Sequence, residues 1–391
     1  MKKYIYISVL ILAALGCKKP YNPKLVSATN SYLVVEGVIN TGQDSTIIRL
    51  SRTVPLSSAV GSTPEPGASV VVLNNAGNSY PLAEAGNGYY KAPPLNLSSS
   101  NQYSLKITTS DGKVYQSDFV PAKNSPPIDS VYYRIKNNGV QIYADTHDPT
   151  NNTRYYRWDF NDTYEFHSAY DSYEELSTSP KDTVVARPLA DKVYVCWRSD
   201  TSSDIILNSS AKLSKDVISG NPVTFIASSS EKIESRYSIL VKQYALTADA
   251  FNYFQELKKN TEQLGSIFDA QPSELTGNLH CVTNPAELVI GYVTAGSSSE
   301  TRIYVNNSSL PAWSTISPYA SCILDTALFC AGRGCDNQVK EEIYAGYQIP
   351  LYPVLASPES DVIMGYAASS PGCVDCTLRG TNKQPSFWTN Q

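Results

Sequence analysis

Charge is scarce in this sequence. Of 391 residues only 17% are Asp, Glu, Lys or Arg, below the proportion of about a quarter usual in globular chains. The 36 acidic and 31 basic residues leave a net charge of −5. That balance excludes a basic nucleic-acid binder, and an apolar content of 42% excludes a disordered polyelectrolyte. Methionine (2) and histidine (3) are nearly absent, so few imidazoles are on hand for base catalysis or metal ligation. There is no G-x-S-x-G, H-E-x-x-H, P-loop or G-x-G-x-x-G, the local signatures of serine hydrolases, zinc peptidases, nucleotide hydrolases and dinucleotide enzymes. Beyond the first residues no apolar run is long enough to cross a bilayer as a helix. What is abundant is tyrosine, 28 residues, with Ser, Thr and Asn. That composition points to extracytoplasmic β-structure.

Lys2 and Lys3 precede an apolar run over Tyr4–Leu15, which ends in Ala14-Leu15-Gly16-Cys17. The run suits a signal-peptide core and is too short for a membrane span. Small residues directly before a Cys have the order of a lipobox, in which the thiol takes a diacylglycerol and cleavage then exposes an amino group for further acylation. Residues 1–16 are therefore expected to be a lipoprotein signal peptide and Cys17 the lipidation site. Acyl chains such as palmitate would anchor the chain at about 0.8 kcal/mol per buried methylene. No acidic residue follows Cys17 in Lys18-Lys19, which favours the outer membrane and leaves either face open. Residues 17–29, with Pro20 and Pro23, read as an extended tether.

Residues 30–123 carry repeated short strand signals separated by Gly, Asn and Pro turns, the pattern of an immunoglobulin- or fibronectin-like β-sandwich. Leu97 and Tyr103 before an alternating strand resemble a tyrosine corner, in which the phenol packs inward and donates to nearby backbone. Pro126-Pro127 reads as a stiff joint leading into a larger β-rich domain, 127–391. There Asn137-Asn138-Gly139 predicts a hairpin. Tyr156, Trp158 and Phe160 alternate with Tyr155, Arg157 and Asp159. The aromatic row fits a sandwich core better than a sugar platform, because one face of such a strand must be buried. Leu288–Thr294 and Arg302–Val305 are expected to pair with each other. Thr247 is a candidate N-cap for a helix over about 248–264, with Phe251, Phe254, Leu257, Thr261 and Leu264 as its packing face and Gly265 at its end.

With Cys17 set aside, seven cysteines remain: Cys196, Cys281, Cys322, Cys330, Cys335, Cys373 and Cys376. Five lie in the Pro-rich tail, 311–391, where an oxidising compartment would staple a poorly cored segment with disulfides. All seven are disulfide candidates. Their odd number leaves at least one thiol over, and the pairing cannot be read from spacing. Zinc on Cys373, Cys376, Cys330 and Cys335 is the weaker alternative. His147 lies in a loop where Asp145, Asp148 and Asn151 could surround Ca²⁺. That loop lacks the Gly and bidentate Glu of a strong calcium site, so a solvated turn is preferred. His167 and His280 have no evident partners. No cofactor other than the lipid is expected.

Several segments together resemble one family: Leu33–Gly37, Leu50–Thr53, Tyr237–Tyr244, Lys258–Glu262, Gln271–Asn278, Val289–Tyr292, Cys373–Gly380 and Pro385–Trp388. The resemblance is to the Bacteroidetes lipoprotein family called domain of unknown function 4249. It implies an envelope lipoprotein whose gene often lies beside a TonB-dependent outer-membrane receptor, and it transfers no catalytic residues. The expected function is a non-enzymatic accessory or ligand-binding partner of such a β-barrel receptor. The alternative is an envelope hydrolase, glycosidase-like, whose paired carboxylates would be adjacent in space but not in sequence. The partner surface is expected on the larger domain, with Arg379, Phe387 and Trp388 as interface-type residues; the alternative is that Phe387 and Trp388 plug a sheet end, which for Trp388 alone is the slightly better fit. The lipidation site has a direct test. Labelling with palmitate should mark the wild-type chain and fail on Cys17→Ala, which is expected in a soluble or unprocessed form.

Overall fold

A computed structural model describes residues 31–55, 58, 61–262, 275–330 and 334–388. The signal peptide, Cys17 and the tether lie outside these residues, as do Leu264 and Gly265. The fold is mainly β. The first strands are β1 (Leu33–Asn40), β2 (Thr46–Thr53), β3 (Ser62–Pro64), β4 (Ser69–Asn74), β5 (Ser79–Glu84), β6 (Tyr89–Ala92), β7 (Gln102–Thr108), β8 (Val114–Ser117) and β9 (Val120–Pro121). They close on one core whose fully buried members include Leu33, Ile48, Val72, Tyr90, Leu105 and Tyr115. Tyr103 is buried, and its hydroxyl donates to the Ser98 carbonyl at 2.7 Å. The expected tyrosine corner is present.

The second set is β10 (Ile128–Lys136), β11 (Gly139–His147), β12 (Tyr155–His167), β13 (Glu174–Leu176), β14 (Val184–Ala186), β15 (Val195–Thr201), β16 (Ile206–Ser209), β17 (Val217–Ala227) and β18 (Arg236–Ala245). After them come the helix α1 (Ala248–Glu262) and the strands β19 (Leu279–Cys281), β20 (Val289–Ile290), β21 (Thr294–Gly296), β22 (Ser298–Asn306), β23 (Asp325–Leu328), β24 (Ile349–Leu355) and β25 (Ile363–Ser369). The sheets β10-β11-β17 and β15-β12-β18-β22 form a second sandwich around one core. Lys136 faces Gly139 across the predicted Asn137-Asn138 turn. Tyr156 and Trp158 are wholly buried in that core and Phe160 nearly so, while Tyr155, Arg157 and Asp159 face outward. The row is core, as expected of a strand with one buried face.

The division at residue 127 is not clean. The chain leaves the second sandwich after α1 and returns to the first. There β19 pairs with β8, and β20 and β21 pair in parallel with β1. Leu279, Cys281, Val289, Val293 and Ala295 belong to the first core. The expected pairing of Leu288–Thr294 with Arg302–Val305 is therefore absent: the first segment lies on β1, and β22 lies on β18 instead. Side-chain alternation alone cannot distinguish a strand that closes a hairpin from one that closes a distant edge. Two glycines permit the close approach at this seam. A Cβ on Gly291, whose φ is +140°, would lie 2.2 Å from the Val35 carbonyl oxygen, and one on Gly296 would lie 1.9 Å from that of Lys123.

The Pro126-Pro127 joint is also held. Lys123 and Ser125 donate backbone N–H groups to Ala295 and Ser297. Buried Gln243 accepts from the Trp158 indole N–H at 3.0 Å and donates to Ser125 Oγ, the Pro126 carbonyl and Thr146 Oγ1. One side chain thus fixes the linker to the second core. The tail is more regular than expected, with a small sheet of order β23-β25-β24.

Helix α1 starts where predicted. Thr247 Oγ1 accepts from the Ala250 N–H at 3.2 Å, one of the orphan donors of a first turn. The helix lies against the outer face of β12, with Phe251 on Tyr155 (centroids 5.1 Å apart) and Arg157 between Tyr244 and Phe254. Its buried residues, however, are Ala250 and Tyr253, while Phe251, Phe254 and Leu257 are half-buried and Thr261 is exposed. Tyr253 packs on Tyr292 at 5.1 Å. Burial pushes its phenol up to about 12, against the opposing effect of a hydrogen bond to the Gly291 backbone. The helix thus leans on the seam as well as on the sheet. Tyr253→Ala should destabilise the chain by about 3–5 kcal/mol, the range for deleting a buried aromatic. Phe254→Ala should cost less than about 2 kcal/mol. Denaturant titration of both variants checks the order.

Candidate functional site

Beside the start of the first sandwich, a cleft of about 660 Å³ lined by Ser31 and Tyr32 collects charged side chains from four separate places. Arg52 comes from β2, Glu65 follows β3, Lys113 precedes β8, and Glu287 arrives on the loop before β20. Arg52 Nε donates to Glu65 at 2.6 Å, and its Nη1 lies 3.8 Å from Glu287. Lys113 Nζ donates to the other Glu287 oxygen at 2.7 Å, and the Tyr115 hydroxyl donates to Glu287 at 2.6 Å. Arg52 also donates to the Ser31 carbonyl at 3.2 Å, just ahead of β1.

The protonation states follow from these contacts. Burial pushes the Glu287 carboxyl up, but the bonds from Lys113 and Tyr115 outweigh it and leave it below the ordinary glutamate value. Asp111 is also lowered, first by the hydrogen bond from Thr109. Lys113 is raised, first by its bond to Glu287. Burial and the Glu287 bond raise the Tyr115 phenol, which stays neutral. The cleft therefore holds ionised carboxylates matched to cations. It can clamp the returning segment and meet polar ligands at its rim, but at neutral pH Glu287 and Asp111 hold no proton to deliver.

The cysteines pair as Cys196–Cys376, Cys322–Cys373 and Cys330–Cys335. These bonds take all four sulfurs of the zinc alternative. Cys281 is the correction: it is a free thiol, buried in the first core. Its strand crosses to the other sandwich, away from the tail cysteines.

The tail residues weighed for a partner surface all have partners within the chain. Trp388 is 4% exposed. It packs edge-on against Trp197 and Tyr304, with Arg236 over its ring. Phe387 lies under the Arg302 guanidinium at 3.6 Å, and its carbonyl accepts from the Tyr304 hydroxyl. Arg379 makes a two-pronged bond to Glu231 at 2.8 and 2.6 Å and stacks over Phe166 and Tyr319. Aromatic and Arg residues suit interfaces and sheet-end plugs equally well, and here they close the second sandwich.

The Asp145–Asn151 loop is built around its polar groups. Asp148 is 8% exposed and accepts from Thr150 Oγ1 and from the backbone N–H groups of Thr150, Asn152 and Thr153. Asp145 accepts from Gly220 N–H and Ser130 Oγ, and Asn151 Oδ1 from Asp216 N–H. The three side chains considered for calcium are committed to protein donors. Each histidine has an acidic neighbour: Asp129 for His147 at 2.8 Å, Glu165 for His167 at 3.9 Å and Asp118 for His280 at 3.3 Å.

A family model described as Domain of unknown function (DUF4249) matches residues 18–302, more than two thirds of the chain. No curated protein matches at a significant level. Among solved structures, the Yersinia pseudotuberculosis adhesin InvE is 12% identical over 56% of this chain and 55% of that chain, with a TM-score of 0.14. The match spans about half of each chain.

The Asp148 loop yields a pH dependence. Burial pushes the carboxyl up, yet its hydrogen bonds hold it at about 2, below the ordinary 3.8. A depressed carboxylate contributes stability that is fully present above its unfolded pKa and is lost as pH falls through the folded one. Asp148→Asn should therefore cost about 2 kcal/mol near neutral pH. The gap to wild type should narrow between about pH 4 and pH 2, as read by denaturant unfolding across that range.

Proposed function

We propose, on the premise that the chain belongs to the family described as Domain of unknown function (DUF4249), that it is a non-enzymatic cell-envelope lipoprotein. In this proposal Cys17 carries the lipid in the outer membrane, and the protein serves as an accessory or ligand-binding partner of a TonB-dependent receptor. The observation that carries the non-enzymatic part is the state of the Arg52 cleft. A glycosidase needs one carboxyl held protonated at working pH; in this cleft Glu287 and Asp111 are shifted the opposite way, and the carboxyls that burial raises, Asp159, Glu174 and Glu234, lie outside it. The anchor rests on the lipobox order before Cys17, and the receptor on the family resemblance.

Affinity capture of the full chain from detergent-solubilised native envelopes tests the proposal. A β-barrel receptor should co-purify in a stable complex, and Cys17→Ala, no longer held at the membrane, should recover less of it. A chain recovered alone that cleaves a glycan library would replace this proposal with the hydrolase.

A further inference from the structure

Acidic and basic residues balance over most of the chain, and the imbalance sits in one place. Residues 321–376, which carry the small sheet β23-β25-β24, hold seven acidic residues and two basic ones. The rest of the chain holds 29 of the 31 basic and 29 of the 36 acidic residues. It is neutral, and this one region carries the entire net charge of −5. Elsewhere carboxylates serve as cross-links between segments. Among the described residues, none of the seven acids of this region is in a salt bridge.

The same sheet leaves an apolar end uncovered. Side chains alternate along β25, so Ile363, Gly365 and Ala367 share a face. Ala367 is buried there with Leu351 and Val374. Towards the hairpin end the cover stops. Leu328, the last residue of β23, stands opposite Gly365, and Leu355 stands opposite Ile363. The β24–β25 hairpin therefore projects beyond β23, and the Ala356 N–H closes it on the Val362 carbonyl. Val362 is 60% exposed, and Leu328, Leu355, Ile363 and Met364 are between 41% and 44% exposed. Single apolar residues at a surface need no explanation, but a contiguous patch with a polar rim marks an interaction site. The rim here is acidic. Glu359 and Asp361 lie exposed in the hairpin turn. Asp336 lies two residues before Gln338, whose Oε1 accepts from the Leu328 N–H at 3.1 Å.

The charge narrows what can cover this end. Insertion into a lipid surface would carry Glu359 and Asp361 in with Val362, against the negative potential of anionic lipid. A second copy of this chain docked patch to patch would bring two acidic rims together, and like charges across an interface cost several kcal/mol. A protein face of opposite sign meets neither penalty. Since the hairpin projects, its complement is a groove. The disulfide between Cys322, before β23, and Cys373, after β25, ties the base of the sheet, so the hairpin is presented on a fixed support and docking loses little freedom.

We propose that the end of the β24–β25 hairpin docks into an apolar groove, rimmed by Lys and Arg, on a second protein. Val362, Ile363, Leu355 and Leu328 fill the groove, and Glu359 and Asp361 meet the cationic rim. The inference rests on the reading of this chain as a partner-binding lipoprotein, and it adds the docking face and the sign of the partner's charge. Desolvated apolar contact supplies the affinity, while the acidic rim steers the encounter and selects the partner.

Photo-crosslinking with the full chain in native envelopes tests it. Benzoylphenylalanine is placed at Val362 or at Leu355, and at Ile47, equally exposed on β2 of the first sandwich, as the control. The patch positions should give an adduct with one partner protein, at a site flanked by Lys or Arg, and Ile47 should give none. Reversing the rim with Glu359→Lys and Asp361→Lys together should cut the yield about tenfold. Raising the salt to about 0.5 M should also lower it, because exposed charges are then screened. Both substitutions are at exposed side chains, so melting should stay close to wild type. No adduct from either patch position, an adduct with lipid or with a second copy of this chain, an equal yield from Ile47, or a yield unaffected by the reversal would overturn the proposal. An adduct with a protein other than a β-barrel receptor keeps this surface and removes the receptor. A receptor that co-purifies undiminished with the reversed chain keeps the receptor and removes this surface.

Discussion

Strand β1 would carry an open edge if the first sandwich ended at residue 121. An exposed strand edge rich in Val and Ile is a template for pairing with another chain. This protein covers it from within: β20 and β21 lie along β1 in parallel, and β19 closes the far edge on β8. That choice constrains much else. The returning segment must leave and rejoin the second sandwich between α1 and β22, so the two sandwiches cannot separate without opening the first core. The linker at Lys123–Pro127 is then caught between the seam and Gln243. Helix α1 reaches the same seam through Tyr253 and Tyr292.

A chain with so few charges spends several of them as cross-links between distant segments. Glu287 ties the returning loop to Lys113 and Arg52; Lys232 ties the turn before β18 to β12 and β15; Arg379 ties the tail to Glu231. A lone buried charge is costly and a well-paired one is tolerated, so these contacts set which segments meet more than how stable the fold is. The disulfides act on the unfolded chain instead. Cys196–Cys376 closes a separation of 180 residues, which in the chain-entropy model is worth about 5 kcal/mol. It holds the Trp388 plug close to the strand that it covers.

What was legible in the sequence was local. A turn pair predicts the β10–β11 hairpin, Leu97 and Tyr103 the tyrosine corner, an alternating aromatic row the buried face of β12, and Thr247 the start of α1. Each depends on residues within a few positions of one another. The same locality misled on the helix face: Phe251 and Phe254 stand out by hydrophobicity, but the neighbouring seam makes Tyr253 the buried member. It left the tail open between two roles, because a Trp or Arg that closes a sheet end has the composition of one that binds a partner. The Arg52 cleft was out of reach. Its members sit at 52, 65, 113 and 287, and only the parallel return brings the last to the others.

The segments through which the chain resembles its family turn out to be neighbours in space. Leu33 and Val34 pair with Val289 and Ile290, so two of the recognisable motifs are the two sides of the seam. Asn278, from a third, holds Val293 at both its N–H and its carbonyl. Cys373 and Cys376 are in disulfides, and a Cβ on Gly380 would lie 2.5 Å from the Trp197 carbonyl oxygen. These residue types are demanded by close backbone approach, edge closure and cross-linking, all of which are requirements of the scaffold. A signature made of such positions identifies an architecture and is silent on chemistry. The chemistry then has to come from groups the scaffold does not need. Asp162 meets that condition only in part: its Oδ2 serves the Lys232 cross-link, while its buried Oδ1 has no donor among the described residues.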